Sequence, residues 1–160
     1  MKRVELIERA ALSGRVTIRG HDPSYQYARD TYLEGEVLHD DHNAIQAGGI
    51  AYILNMLMAD PTNATPARQY GIVQMGAWSV APAEVVKADL TDQYISGSSI
   101  KSVLYLTSVQ PASQPVTLNQ ARLYLDAAGA TLLAIGNFTN IIKTTSLALT
   151  LEWTVNLTGV

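Results

Sequence analysis

The sequence predicts a mainly β chain, an antiparallel β-sandwich with one packed α-helix and an N-terminal arm. Three observations predict it. Residues 147–157 alternate strictly: Leu147, Leu149, Leu151, Trp153, Val155 and Leu157 point one way, and Ala148, Thr150, Glu152, Thr154 and Asn156 the other. From Tyr70 onward, apolar runs of strand length are separated by turns rich in Gly and Pro. The clearest helical stripe lies at 44–58, ahead of those runs. The expected organisation is an N-terminal helix or arm with a β-hairpin over 1–38, then a β-sandwich domain over 39–160 that contains the 44–58 helix.

Residues 2–12 place Val4, Ile7 and Ala11 at helical spacing, stopped by Ser13-Gly14. A helix of that length needs a partner surface to persist. Arg15 to Arg19 alternates like a strand, and Leu33 to Leu38 is its expected hairpin partner. The connection between them is polar, yet Tyr25, Tyr27 and Tyr32 sit in or beside it.

For the 44–58 helix, Asn43 and Gln46 have capping-box spacing, and Ile50, Ile53, Leu54 and Leu57 form one stripe. Gly48-Gly49 marks a close backbone approach, and Asp60 to Pro66 ends the element. Strands are expected at Tyr70 to Trp78, Val103 to Val109, Val116 to Leu125 and Thr131 to Phe138. Ser79 to Leu90 reads as a turn and irregular chain, Gln110 to Pro115 as a loop, and Asp126 to Gly129 as a hairpin connection.

The chain has 160 residues and no cysteine, so disulfide frameworks, thiol catalysis and cysteine-based zinc sites are excluded. Fourteen acidic and 11 basic side chains, with a pI near 5.5, provide no electrostatic footprint for nucleic acid or an anionic membrane. Residues 1–45 hold 14 of these charges and residues 101–160 only five. Either a partner covers part of that charge-poor region, or neutral Thr, Ser and Asn side chains solvate it. The first residues alternate charged and apolar groups without a signal-peptide core, and the charge-free stretch 102–121 is broken by Gln, Asn and Pro. A soluble product of the cytoplasm is expected.

His39-Asp40-Asp41-His42 is the one cluster with metal-ligand chemistry, its two histidines at i, i+3 able to share a helix face. His21 is the only other imidazole, and the plainer reading is a solvated linker whose acids precede a helix N-terminus. Glu84, Asp89, Asp92, Asp126 and Glu152 are scattered, and no nucleophile motif or phosphate loop is present, so no catalytic residue and no cofactor is expected. Tyr25, Tyr27, Arg29 and Tyr32 have the chemistry of a protein interface, with Val4 and Ile7 as further partner contacts. The same rings, with His21 beside them, also suit self-packing on their own domain or glycan recognition.

The order of motifs resembles a known family. Gly35-Glu36-Val37-Leu38 is followed by His42-Asn43-Ala44-Ile45-Gln46-Ala47-Gly48-Gly49, then by Gly71-Ile72-Val73-Gln74-Met75-Gly76-Ala77-Trp78 with Ala81-Pro82 after it. Later come the run from Ala121 to Phe138, Ile141-Ile142-Lys143-Thr144-Thr145, and the Leu-x-Leu-x-Leu-x-Trp strand. Over residues 33–157 this resembles small tailed-bacteriophage virion proteins related to the tail-collar domain of phage tail fibres, departing at Met75 to Trp78 and at Arg122 to Leu125. The resemblance implies a non-enzymatic virion subunit assembled in the host cytoplasm. It would form a trimer or ring and bind neighbouring virion proteins at the tail or neck. A decoration protein on the phage head and a glycan-binding adsorption module are the alternatives.

Overall fold

The structure, a computed structural model, describes residues 11–45, 74–79, 84–124 and 132–158. Within them the chain is mainly β, and every strand pair is antiparallel. The strands are β1 (Ala11–His21), β2 (Glu36–Ile45), β3 (Gln74–Ser79), β4 (Glu84–Asp89), β5 (Asp92–Ser96), β6 (Ser99–Leu106), β7 (Val116–Tyr124), β8 (Leu132–Lys143) and β9 (Ala148–Thr158). Their order across the sheet is β4-β3-β7-β8-β2-β1-β9-β6-β5.

β2 joins two halves of that sheet. Glu36 to Asn43 pair with β1, and Ala44 and Ile45 pair with Ile135 and Ala134 of β8. Apolar side chains from both halves meet in one core. Val16, Ile18, Leu104, Leu106, Leu149, Leu151, Trp153 and Val155 come from one side, and Leu118, Ala121, Leu123, Leu133, Ala134, Phe138 and Ile141 from the other. The two sides touch where Gly136 faces Val16 and Trp153: a Cβ on residue 136 would stand 2.8 Å from Val16 Cγ1. Trp153, at 0% exposure, is the largest side chain of this core, and its indole nitrogen has no acceptor among the described residues. The ring's value there is its buried volume.

The alternation expected in the last strand is present. Leu149, Leu151, Trp153 and Val155 all join the core. β1 and β2 do pair, but of the expected partner segment 33–38 only Val37 meets Arg15 to Arg19, opposite Arg19; Arg15 to Ile18 pair with His42 to His39, and Leu33 and Glu34 lie in a 3-10 turn. Two short strands fall where the sequence carried no clear period. β4 lies within the stretch read as irregular, and β5 forms a tight hairpin with β6. Gly97, at φ 61°, makes that two-residue turn, a conformation L side chains rarely take.

Three expectations need correction. The N-terminal arm is not one over residues 11–38. β1 lies between β2 and β9 with Val16 and Ile18 buried, because its alternating apolar residues are needed to complete the core. The helix expected at 2–12 ends in strand instead, since Ala11 and Leu12 already pair with Thr158 and Leu157; its earlier residues, including Val4 and Ile7, lie outside the described residues. The 44–58 helix does not begin at Ala44. Ala44 and Ile45 are strand, and the Asn43 side chain, expected to cap a helix, lies where a Cβ on Gly14 would be, while residues 46–58 lie outside the described residues. β2 also spans the expected boundary at 38/39.

Candidate functional site

The site is built on the face of β9, β6 and β5 that points away from the core. On β9 that face carries Ala148, Thr150 and Glu152; on β6, Lys101, Val103 and Tyr105; on β5, Asp92 and Tyr94. In an open sheet these positions would be solvated. Here Ala148 and Val103 are fully buried and Glu152 is only 6% exposed. Residues 22–35, the connection between β1 and β2, form a strap over them.

The strap's own sequence shapes it. Asp22-Pro23-Ser24-Tyr25 is a turn in which the Tyr25 amide donates to the Asp22 carbonyl at 2.9 Å, with Pro at the position that suits its fixed φ. The Ser24 amide donates to the Asp22 carboxylate, also at 2.9 Å, and the Ser24 bonds hold that carboxyl below its usual range. A single 3-10 turn at Tyr32–Glu34 then drops the Tyr32 ring into the sheet.

Three tyrosines of the strap dock on the sheet. Tyr32 is fully buried; its hydroxyl lies 2.6 Å from that of Tyr94 and donates to the Glu152 carboxylate. Glu152 also accepts from Lys101 Nζ at 3.0 Å and from Thr154 Oγ1 at 3.1 Å, so this buried carboxylate has three donors. Tyr27 donates to Asp92 at 2.9 Å, and its ring tilts against Tyr32 and Tyr105. Arg29 grips the same Asp92 with two bonds, Nε at 2.7 Å and Nη2 at 2.6 Å, while its guanidinium lies 4.4 Å over the Tyr94 ring. Tyr25 stacks on His21, meets Tyr105 edge-on, and accepts the Tyr105 hydroxyl at its carbonyl oxygen.

The electrostatics follow from these contacts. The Arg29 bonds first, then Tyr27, hold the Asp92 carboxyl below 3.8. Burial, then hydrogen bonding to a carboxylate, pushes the Tyr27 and Tyr32 phenols well above 10. Burial, with Arg19 second, holds His21 below 6.5. The cluster is a network of committed donors and acceptors. All these contacts lie within the chain; Arg29 stays exposed apart from its grip on Asp92 and its place over the Tyr94 ring.

The histidine cluster falls apart. β2 is a strand, so His39 and His42 point to opposite faces: His39 pairs with core-facing Ile18 and sits 5.3 Å from the Phe138 ring, whereas His42 pairs with exposed Arg15. Asp40 is engaged by Arg15 Nε at 2.6 Å and by Thr17 Oγ1 at 2.9 Å, and the Arg15 bonds hold its carboxyl below 3.8. Among the described residues, no group of three such side chains comes together to hold a metal.

Sequence reasoning missed Asp92, Tyr94, Lys101, Tyr105 and Glu152 as a set. A signal existed on β6 alone, where Lys101-x-Val103-x-Tyr105 repeats at period two. No protein-family model matches this chain, and comparison with curated proteins and with solved structures returns no match.

Proposed function

We propose that this chain is a non-enzymatic structural subunit of a bacteriophage particle, self-associating as a trimer or ring and gripping neighbouring virion proteins at the tail or neck. In fold terms we read its two sheet halves as a sandwich sharing β2. The observation that carries the reading is one row across the edge hairpin. Val155, Ile100 and Ile95 are register neighbours, and their exposure climbs from 6% through 41% to 78% toward β5, the last strand of the order among the described residues. Apolar surface therefore continues past the core to a strand edge whose backbone groups can pair with another chain. The strap supports the same reading, since its polar groups are spent on rigidity. The motif resemblance over residues 33–157 supplies the phage context.

Sedimentation of the purified chain and mass spectrometry of purified particles test this together. An oligomer that is present in virions is expected; a monomer absent from them defeats the reading. Ile95→Lys is expected to weaken self-association. Its effect on folding should stay within about 0.5 kcal/mol, as for other exposed substitutions.

A further inference from the structure

β5 draws no support from the core. It is the last strand of the order among the described residues, with β6 as its neighbour there, and none of its side chains joins the buried cluster. Ile95, on the core-facing side, is largely exposed, and Gln93 Nε2 donates to Ser102 Oγ of β6 at 3.1 Å. A strand of five residues paired along one side frays easily.

Its hold comes from the opposite face. Asp92 and Tyr94, two residues apart, both point to the strap, and three strap residues meet them. Tyr27 and Arg29 donate to the Asp92 carboxylate, and the Arg29 guanidinium lies 4.4 Å over the Tyr94 ring. The Tyr32 hydroxyl lies 2.6 Å from that of Tyr94. These strap residues are anchored further in: Tyr32 is fully buried and donates to Glu152 of β9, while the Tyr27 ring tilts against Tyr105 of β6. Lys101, opposite Tyr94 in register, donates to the same Glu152. Side chains thus fasten the outer face of the edge strand to the middle of the sheet.

We propose that the strap is a clamp that positions the edge strand: Tyr27, Arg29 and Tyr32 hold β5 against β6 through Asp92 and Tyr94, and so keep Ile95 beside Ile100 on the other face, where a second copy of this chain docks. The partner rests on the self-association reading above; the clamp itself rests on the contacts. Alternate side chains leave a strand on opposite sides, so gripping Asp92 and Tyr94 from above fixes where Ile95 points below. A frayed β5 carries Ile95 away from Ile100, and a docking copy would then bear the cost of ordering it. Tyr27, Arg29 and Tyr32 have the chemistry of an interface, and here they serve one without touching it. They are positioning residues.

Hydrogen exchange by mass spectrometry and sedimentation equilibrium on the intact chain test this. Exchange is read in the Ile95→Lys background, so that a docked copy does not mask β5. Adding Arg29→Ala is expected to quicken exchange over residues 92–96 on the order of tenfold, the scale of a lost charge-assisted pair, while Leu149 to Val155 of β9 hold their rates. With Ile95 restored, Arg29→Ala is expected to weaken self-association by a similar factor, and Tyr27→Phe, which keeps the ring, by less. In an Asp92→Ala background, Arg29→Ala is expected to weaken association less than it does alone, because Arg29 acts through Asp92. Unchanged exchange over 92–96 overturns the clamp. So does a fully additive loss of association in the double variant, which would put Arg29 in the interface itself. A monomeric wild type overturns the self-association reading and the docking copy with it, and exchange over 92–96 then still decides the clamp.

Discussion

Tyr32 and Glu152 stand 120 positions apart, and the Tyr32 hydroxyl donates to the Glu152 carboxylate beneath the strap. Glu152 belongs to the polar half of the last strand's alternation, a half normally left in water. The strap takes that water away and supplies the Tyr32 phenol, beside the Lys101 ammonium and the Thr154 hydroxyl of the sheet itself. A buried carboxylate held by three donors is satisfied, and losing one leaves a costly vacancy.

Tyr32→Phe therefore keeps the ring and removes one donor. It should cost roughly 1–3 kcal/mol in denaturant unfolding. A cost near zero would mean that Lys101 and Thr154 satisfy the carboxylate without it.

Gly136 has room for hydrogen alone, with Val16 Cγ1 2.8 Å and Val16 Cβ 3.4 Å from where a Cβ would lie. Gly136→Ala should lose about 1–3 kcal/mol through overpacking. Adding Val16→Ala should then cost less than Val16→Ala does alone. A double-mutant cycle that is purely additive would refute direct contact between the two sheet halves here.

Asp92 gives the strap an acid-sensitive anchor. Its folded carboxyl lies below the ordinary 3.8, mainly through Arg29, so the stability it contributes is full above 3.8 and is lost as pH falls from there through the folded value. Asp92→Asn should lower stability at neutral pH and flatten the acid limb of a stability-against-pH curve. An unchanged limb would show that the Arg29 and Tyr27 contacts are energetically idle.

Lys143 is fully buried, and its Nζ donates to the Ser108 and Thr144 carbonyls at 3.0 Å each. Burial pushes its ammonium below the ordinary 10.5. Between that lowered value and 10.5 the unfolded chain binds more protons, so this group makes stability rise with pH over the window. Lys143→Met should remove the rise, visible as the difference between the two proteins' alkaline unfolding curves. A flat difference would mean that the folded ammonium pays no desolvation cost.

Much of the strand content was legible in the sequence. In β9, Leu149 to Val155 alternate with Thr150 to Thr154, and a period of two can be read locally because adjacent side chains must leave a pleated backbone on opposite sides. That Arg15 to Arg19 form a strand was legible for the same reason, but their partner was not: Arg15 to Ile18 pair with His42 to His39, beyond the expected 33–38. β4 and β5 were not, being short and mixed in polarity, with identities set by the neighbours they complete.

The sequence by itself determined which residues of the last strand share a face: Trp153 with Leu151, and Thr150 with Glu152. Only the tertiary structure decided which faces lose water. His39 and His42 look like one cluster in the chain, but the strand sends one to Phe138 and the other to Arg15. Asp92 and Arg29, 63 positions apart, look unrelated and share two hydrogen bonds. Alternation is a local property of the backbone. Burial of a polar face depends on where a distant segment lands, and that is settled by closing loops of 60 to 130 residues around the common core.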